Sequence, residues 1–244
     1  MYILPAIDLR GGKVVRLAQG DYDRQTTYHD DPAAVAETFL SAGAKWIHVV
    51  DLDAARTGET TNANAIRAIV GAAGDSAQVE LGGGARTTEA VERMLGMGVA
   101  RVVVGSAAMK DWPWFEALAA RDDLAGRLAL GLDAREGKLA AQGWTEQLDT
   151  RAADLAGRTR GWRLGAIVHT DIARDGMLEG VHVEATARIV AATDVPVIAS
   201  GGLASLDDVR RCAQAGCAGA IVGRAWYEGK IDLAEACRLA DALL

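Results

Sequence analysis

The sequence predicts a single α/β domain, residues 1–244, built as a (β/α)8 TIM barrel with a twofold internal repeat. Short apolar runs alternate with amphipathic stretches along the whole chain, which predicts right-handed βαβ units and a parallel sheet. Eight such units fit a chain of 244 residues. Matched segments also recur in the same order, which predicts half-units of about 1–124 and 125–244. An open doubly wound sheet is the alternative, but it does not require a repeat of halves.

The repeat is carried by polar and glycine-rich segments. Pro5–Lys13 matches Leu130–Lys138, so Asp8 falls on Asp133. The offsets of the matches lie between 118 and 125 residues. The remaining matches pair Leu81–Thr87 with Ser200–Ser205, Val103–Ala107 with Ile221–Ala225 and, more weakly, Val50–Gly58 with Thr170–Gly176.

Eight strands and eight helices are predicted in alternation. The strands are Tyr2–Ile7, Trp46–Val50, Gln78–Leu81, Arg101–Val104, Arg127–Leu132, Ala166–His169, Val195–Ala199 and Ala220–Val222. The helices are Pro32–Ala42, Asn62–Gly71, Thr88–Met97, Trp112–Ala120, Thr150–Arg160, Val183–Ala192, Leu206–Ala215 and Leu233–Leu243. Asp31, Thr87 and Ser205 stand where N-caps are expected.

Four long irregular stretches are predicted after strands, at the end of the barrel where such enzymes keep their active sites. They follow strands one, two, five and six, and their length suggests a closing lid. They are Arg10–Asp30, Asp53–Thr61, Ala134–Asp149 and Ile172–His182.

Composition excludes several classes of function. The net charge is −7, and no basic block stands out, so we expect no nucleic-acid partner. We expect no membrane span, because no apolar run reaches 18 residues, and the N-terminus shows no signal-peptide pattern. Cys212, Cys217 and Cys237 lack metal-like companions, which predicts buried, reduced thiols and a cytoplasmic protein.

Two aspartates are the candidate acid and base. Asp8 and Asp133 directly follow apolar runs, at the predicted ends of strands one and five on opposite sides of the barrel. A small substrate lying across the mouth would meet one as base and the other as acid. The alternative is a structural role, in which each carboxylate caps a loop or pairs with Arg10 or Arg135.

Glycine turns after the other strands predict two phosphate sites. Backbone N–H groups at such turns, followed by helix N-termini, bind phosphate with few basic side chains. Barrels commonly have this site after strands seven and eight, and here the repeat adds a copy after strands three and four. Two sites predict an elongated small-molecule bisphosphate, although tight turns alone are the alternative. The residues are Gly83, Gly84, Gly105 and Ser106 in the first half, and Gly201, Gly202, Gly223 and Arg224 in the second.

Further polar residues end or follow the predicted sixth strand. Asp171 matches Asp51 of the first half, and it is a candidate either for holding loops together or for a direct role. Thr170 beside it is a candidate for hydrogen bonding at the reacting centre. Asp175 follows in the same loop.

Two histidines and one tryptophan complete the candidates. His169 is expected to pack or to orient its neighbours, and His48 to be a hydrogen-bonded core residue inside strand two. Trp144, on the long stretch after strand five, is the aromatic side chain best placed to stack on a ring.

These segments together resemble the phosphoribosylformimino-5-aminoimidazole carboxamide ribotide isomerases of histidine biosynthesis. The resemblance covers essentially the whole chain. It rests on Pro5–Leu9, Gly82–Arg86, Gly131–Asp133, His169–Gly176 and Ile221–Ala225. The sister cyclase family shares the half-barrel repeat but usually has a Cys near the first aspartate, where this chain has Ala6 and Ile7.

The resemblance implies a metal-free and cofactor-free Amadori rearrangement of a bisphosphate aminoaldose to an aminoketose. It implies that Asp8 is the proton acceptor and Asp133 the proton donor. Asp171 is a competing candidate for the acid, and Thr170, next to it in the sequence, is a further catalytic candidate. The resemblance also implies substrate contacts for Arg16, Trp144 and Gly176. A non-catalytic barrel that senses a phosphosugar is the alternative, which the two carboxylates argue against. We expect a monomer.

One departure from the family bears on specificity, and a second bears on the contacts within a loop. One branch also isomerises phosphoribosylanthranilate, and its members resemble one another in an Arg two residues before the loop tryptophan. Gln142 stands there in this chain, which favours a single substrate. Activity on phosphoribosylanthranilate as well is the alternative. Val181 and His182 also replace the Pro and Asn expected after Gly180.

Overall fold

The structure is a computed structural model that describes residues 1–18, 20–141, 144 and 146–243. Twelve strands form one sheet within these residues. They are β1 (Tyr2–Arg10), β2 (Lys13–Ala18), β3 (Asp21–His29), β4 (Trp46–Asp51), β5 (Gln78–Gly82), β6 (Arg101–Val104), β7 (Leu128–Arg135), β8 (Lys138–Ala141), β9 (Glu146–Arg151), β10 (Ala166–Asp171), β11 (Val197–Ser200) and β12 (Gly219–Val222).

Helices connect the strands and cover the outside of the sheet. They are α1 (Pro32–Ser41), α2 (Leu52–Thr57), α3 (Ala63–Ala73), α4 (Thr88–Leu95), α5 (Ser106–Lys110), α6 (Trp112–Ala119), α7 (Ala152–Gly157), α8 (Val183–Ala192), α9 (Leu206–Gln214), α10 (Arg224–Tyr227) and α11 (Leu233–Ala242), with a 3₁₀ turn at Asp122–Leu124.

Eight of the strands close into a parallel barrel, which confirms the predicted fold. The order around the barrel is β1, β4, β5, β6, β7, β10, β11 and β12. The pairing of β10 with β7 and of β12 with β1 closes the circle. An open doubly wound sheet, the alternative from sequence, is therefore wrong.

The predicted strands and caps agree closely with the structure. Each of the eight predicted strands overlaps one barrel strand, with differences only at the ends. Asp31 accepts hydrogen bonds from two backbone N–H groups of α1, and Thr87 accepts one from α4. Ser205 and Asp208 form a capping box at the start of α9. Local capping chemistry therefore sets where these helices begin.

Two of the predicted irregular stretches are wrong, because each contains an antiparallel ribbon. After β1 the chain forms β2 and β3, and after β7 it forms β8 and β9. The β3 strand is almost wholly exposed, so both of its faces are polar and it lacks the alternation that identifies a half-buried strand. The stretch after β4 was also expected to be irregular but opens with the short helix α2.

A small apolar cluster fills the barrel interior, separate from the large core between sheet and helices. Its members are Leu4, Ala6, Ala129, Ala166, Val168, Ile198 and Ile221, with Trp46 and Val103 packed against them. All three cysteines are buried, as predicted. Among the described residues, no helix combines the length and apolarity needed to cross a bilayer.

Candidate active site

Asp8 and Asp133 lie at the carboxyl ends of strands on opposite sides of the barrel mouth. Four strand-to-strand steps separate β1 from β7 in either direction around the barrel. Asp8 aligns with Val50 of β4, and Asp133 aligns with Thr170 of β10. Both side chains therefore lie at the end of the barrel where βα connections form active sites.

Asp8 is held by an arginine from the ribbon that follows its own strand. Arg16 Nη1 donates to Asp8 Oδ2 over 2.9 Å, and Arg16 Nη2 lies 3.6 Å from Asp175 Oδ1. Burial raises the pKa of Asp8 above its usual value, while the charge of Arg16 opposes this rise. The site thus holds a desolvated carboxylate beside a fixed cation, an environment suited to a general base.

Asp133 has neutral hydrogen-bond donors instead of a cation. Trp144 Nε1 donates to Asp133 Oδ2 over 2.8 Å, and the side chain of Thr170 also hydrogen-bonds to this carboxylate. Burial raises the pKa of Asp133, and these two hydrogen bonds only partly offset it. Because no cation is paired with Asp133 among its described contacts, this carboxyl is better suited than Asp8 to keep a proton and act as the acid.

Trp144 also brings the two ribbons together above the mouth. A Cβ atom on Gly20, in the turn between β2 and β3, would lie 2.9 Å from Cε3 of Trp144. Trp144 adopts a positive φ of 73°, an uncommon conformation for a bulky residue. The sequence predicted ring stacking for Trp144, and the structure adds a hydrogen bond to Asp133 that no sequence pattern indicated.

The Asp171 carboxylate is occupied by groups of its own loop. Its Oδ1 accepts from the Ala173 N–H over 3.0 Å, and its Oδ2 lies 2.8 Å from His182 Nδ1. Asp175, in contrast, contacts Arg16, and its charge raises the pKa of both Asp8 and Asp133. Asp175 therefore lies in the site between the two candidates, although sequence reasoning did not select it.

The same arrangement occurs in the first half of the chain. Asp51 Oδ1 accepts from the Ala54 N–H over 3.0 Å and from Asn62 Nδ2 over 2.7 Å. Asn62 therefore contacts Asp51 as His182 contacts Asp171, although Asn62 shares its oxygen with the backbone N–H and His182 contacts the other oxygen. This correspondence explains how His182 fits where the family resemblance led us to expect Asn.

The glycine turns pass tightly beneath these aspartates. Gly83 and Gly201 have φ values of 96° and 91°, and a Cβ atom on either would collide with the carbonyl oxygen of Asp51 or Asp171 respectively. Only glycine fits such a position. The following glycines, Gly84 and Gly202, have φ values of 83° and 86°.

The turns after β6 and β12 also share one backbone conformation. Gly105 has φ −102° and ψ −109°, and Gly223 has φ −108° and ψ −110°. Each precedes a short helix that starts at Ser106 or Arg224 respectively. Both pairs of turns therefore share their backbone conformation between the two halves of the chain.

Basic side chains are concentrated at the turn after β12. The Arg16 guanidinium covers Gly223, since a Cβ atom there would lie 2.7 Å from Nη2. Arg224 Nη1 donates to the Gly176 carbonyl over 2.7 Å, and Arg224 Nε donates to Glu228. The loops after β10 and β12 are thereby joined at the predicted second phosphate site.

The two histidines of the barrel strands are both engaged. His169 is buried, its Nδ1 lies 3.0 Å from Thr186 Oγ1, and burial lowers its pKa to about 4. His48 Nδ1 lies 2.6 Å from Glu80 Oε1 inside the barrel. Gln142, the residue that bears on the second substrate, lies outside the described residues.

Comparison with known proteins gives a family match over most of the chain and relatives of similar length. The family model described as "Histidine biosynthesis protein" matches residues 2–232. A protein from Sphingopyxis alaskensis is 49% identical over 237 residues, covering 96% of each chain. One from Thiobacillus denitrificans is 48% identical over 246 residues, covering 100% of this chain and 97% of its own. Both are named 1-(5-phosphoribosyl)-5-((5-phosphoribosylamino)methylideneamino)imidazole-4-carboxamide isomerase.

Proposed function

Because the chain belongs to the histidine biosynthesis protein family, we propose that it catalyses the isomerisation for which its relatives are named. The reaction is the Amadori rearrangement of the phosphoribosyl aminoaldose to the aminoketose. One observation carries the proposal: Asp8 and Asp133 face each other across a mouth flanked by two matching pairs of glycine turns. A substrate with a phosphate at each end would place its ribose between the carboxylates.

The first chemical step opens the ribose ring. Asp133, protonated, donates its proton to the ring oxygen as the bond from that oxygen to the anomeric carbon breaks. The nitrogen lone pair forms the C=N bond, so the intermediate is a Schiff base with a positive charge. Burial supports this role, because it raises the pKa of Asp133 and keeps the carboxyl protonated at higher pH.

The second step moves the double bond. Asp8, ionised, removes the proton from C2 of the opened sugar, and the electrons of that C–H bond neutralise the iminium nitrogen to give an enolamine. The enolamine then tautomerises, with loss of the hydroxyl proton at C2 and protonation at C1, to the aminoketose. Arg16 supports the basic role because its charge stabilises the ionised form of Asp8.

Asp175 and Asp171 take different parts in this proposal. Asp175 pairs with Arg16 and acts electrostatically on both carboxylates, so it is a second candidate for proton transfer at the sugar. Asp171 supports the loop after β10 through Ala173 and His182. We therefore assign Asp171 a structural role and keep Asp133 as the acid, with Thr170 hydrogen-bonded to it.

The two phosphate groups of the substrate are assigned to the two pairs of glycine turns. Gly83, Gly84, Gly105 and Ser106 form one proposed phosphate site, and Gly201, Gly202, Gly223 and Arg224 form the other. Gly176 belongs to the second site because its carbonyl accepts from Arg224. Backbone N–H groups bind phosphate without requiring a positive protein, which is consistent with the net charge of −7.

We further propose that the enzyme acts as a monomer in the cytoplasm, without nucleic acid, on this dissolved bisphosphate. Sedimentation velocity across a range of protein concentrations tests the monomer, and a concentration-dependent dimer contradicts it.

A turnover assay tests the function itself. The purified protein is supplied with the bisphosphate aminoaldose, and the aminoketose is measured, with phosphoribosylanthranilate run beside it. We expect turnover of the first substrate and none of the second, because Gln142 replaces the Arg of the dual-substrate branch. Binding without turnover would support the phosphosugar sensor instead, and turnover of both would restore the dual-substrate reading.

A further inference from the structure

A buried ionic array lies in the barrel interior one layer below the two aspartates. His48, Glu80 and Arg101 stand on the consecutive strands β4, β5 and β6, and their Cα atoms are paired in register. His48 also pairs with Ala6, two residues before Asp8 on β1. The interior of such barrels is ordinarily filled by bulky branched side chains. Packing alone therefore does not account for three ionisable side chains at this level.

Glu80 is the anion at the centre of the array. It is fully buried, its Oε1 lies 2.6 Å from His48 Nδ1, and its Oε2 accepts from Arg101 Nε over 2.9 Å. Burial alone would raise the pKa of Glu80, but the hydrogen bonds and charges of His48 and Arg101 together lower it. Glu80 is consequently ionised and can only accept hydrogen bonds, so Nδ1 of His48 carries a proton.

Arg101 is fixed from two further sides. Its Nη1 donates to the Gly165 carbonyl over 3.0 Å, and its guanidinium carbon lies 4.2 Å from the centre of the Trp46 ring. A buried arginine held in this way keeps its carboxylate partner in one position, because separating the two would leave an unpaired buried charge. The orientation of His48 is thereby determined by two charged groups buried in the barrel interior.

The other ring nitrogen of His48 is not engaged by the Glu80–Arg101 pair. Across the described part of the chain, Nε2 makes no hydrogen bond, whereas Nδ1 is engaged by Glu80. A positive charge on His48 lowers the pKa of both Asp8 on β1 and Asp133 on β7. The other charged groups around these carboxylates are Arg16 and Asp175.

We propose that His48 is a positioning residue of the isomerase: the Glu80–Arg101 pair fixes its Nδ1, and the charge of the ring acts on Asp8 and Asp133. This inference rests on the proposed function, since it takes Asp8 and Asp133 as base and acid. A positive charge on the ring favours the ionised form of each carboxylate, so His48 sets the pH range in which one is ionised and the other protonated.

The first test is the pH dependence of kcat/KM in His48→Gln. Glutamine removes the charge, so both limbs of the bell-shaped profile should move to higher pH, by about one pH unit. Val103→Ala is the control, because it removes side-chain volume in the same barrel interior without removing a charge, and its limbs should stay in place. An H48Q profile that coincides with the wild type overturns the proposal, whatever the change in kcat.

The second test requires neither turnover nor a stable variant. In the wild-type protein, the ¹⁵N chemical shifts of the four histidine rings are followed as a function of pH. We expect the His48 ring to carry a proton on Nδ1, because Nδ1 contacts the ionised carboxylate of Glu80. A ring with its proton on Nε2 and none on Nδ1 contradicts the proposal.

The two tests separate this inference from the proposed function. Absence of turnover in the wild type would refute the isomerase, while the NMR spectrum would still show which nitrogen of His48 carries the proton beside Glu80. Normal turnover with an unmoved H48Q profile would refute the role of His48 alone.

Discussion

The indole of Trp144 donates a hydrogen bond to the carboxylate of Asp133 over 2.8 Å. This contact joins the ribbon after β7 to the proposed acid at the end of the same strand. It also holds the loop tryptophan at the mouth of the barrel.

Trp144→Phe should therefore change catalysis through Asp133. Phenylalanine keeps an aromatic ring but removes the hydrogen bond that lowers the pKa of Asp133, so this pKa should rise further. We expect the alkaline limb of the kcat profile to move to higher pH and kcat to fall about tenfold, the value of one hydrogen bond to a charged group. Trp114→Phe is the control, since its Nε1 donates to Thr88 Oγ1 over 3.0 Å in a different part of the fold. An unmoved alkaline limb in W144F would argue that Asp133 is not the acid.

Asp8→Asn tests the base. Asparagine can still accept a hydrogen bond from Arg16, so the local structure should persist while proton abstraction is lost. We expect kcat to fall about 10²–10⁴-fold with little change in bisphosphate binding, measured by turnover and calorimetry. Asp122→Asn, which removes an exposed ion pair with Arg163, should leave kcat unchanged. Near-normal turnover in D8N would remove Asp8 from the mechanism.

The same assay divides the acid role among three carboxylates. Asp133→Asn should lose kcat to a similar degree as D8N. Asp171→Asn should chiefly lower the free energy of unfolding, because the two carboxylate oxygens contact the Ala173 N–H and His182 Nδ1. If D171N instead loses kcat as severely as D133N while staying folded, the acid assignment passes to Asp171. A loss in Asp175→Asn that exceeds that of D133N would pass it to Asp175.

Sequence reasoning identified the barrel because its signals are local and repeated. Apolar runs marked the buried strands, and Asp31, Thr87 and Ser205 marked helix starts by capping chemistry. The ribbon strand β3 was missed because its exposed, polar residues carry no alternation. Exposure on both faces removes the hydrophobic pattern on which strand prediction depends.

Within the site, the internal repeat predicted pairs of matched residues. It linked Asp8 with Asp133 and Asp51 with Asp171, and the structure shows that the second pair accepts hydrogen bonds from nearby backbone N–H groups. Asp175 has Ala55 at its repeat position, so symmetry gave no reason to select it. Its contact with Arg16 depends on two loops meeting across the mouth, which no local pattern encodes.

Gly201→Ala tests the tight turn after β11. Alanine would adopt an unfavourable positive φ, and its Cβ would also lie within contact of the Asp171 carbonyl oxygen. Gly137→Ala is the matched control, because Gly137 has a φ of 78° with no atom within 4 Å of an added Cβ. We expect G137A to lower the free energy of unfolding by about 1 kcal/mol and G201A by more than twice as much. Equal losses in urea unfolding would show that the close approach to Asp171 is unimportant.

His182→Asn tests whether an amide can replace the imidazole that contacts Asp171. Asn62 already bonds Asp51 in the first half over 2.7 Å, so an amide should serve Asp171 equally well. We expect H182N to keep its thermal stability and kcat/KM, whereas His182→Ala should lose about 1–2 kcal/mol of unfolding free energy, because a buried carboxylate oxygen loses its donor. A large loss in H182N would mean that the imidazole does something that the amide cannot.

The buried His169 should make the protein sensitive to acid. Its pKa is lowered to about 4 by burial, whereas the pKa of an unfolded histidine is about 6.5. Above about pH 6.5 both states are neutral and His169 has no pH-dependent effect. As the pH falls, the unfolded state binds the proton first, so stability falls between about pH 6.5 and 4, by up to about 3 kcal/mol.

Urea unfolding of wild type and His169→Asn across this range measures the effect. The difference in unfolding free energy between the two proteins should shrink as the pH falls, because only the wild type has this histidine to protonate on unfolding. A constant difference between wild type and H169N from pH 7.5 to 4.5 would show that His169 does not remain neutral in the folded protein.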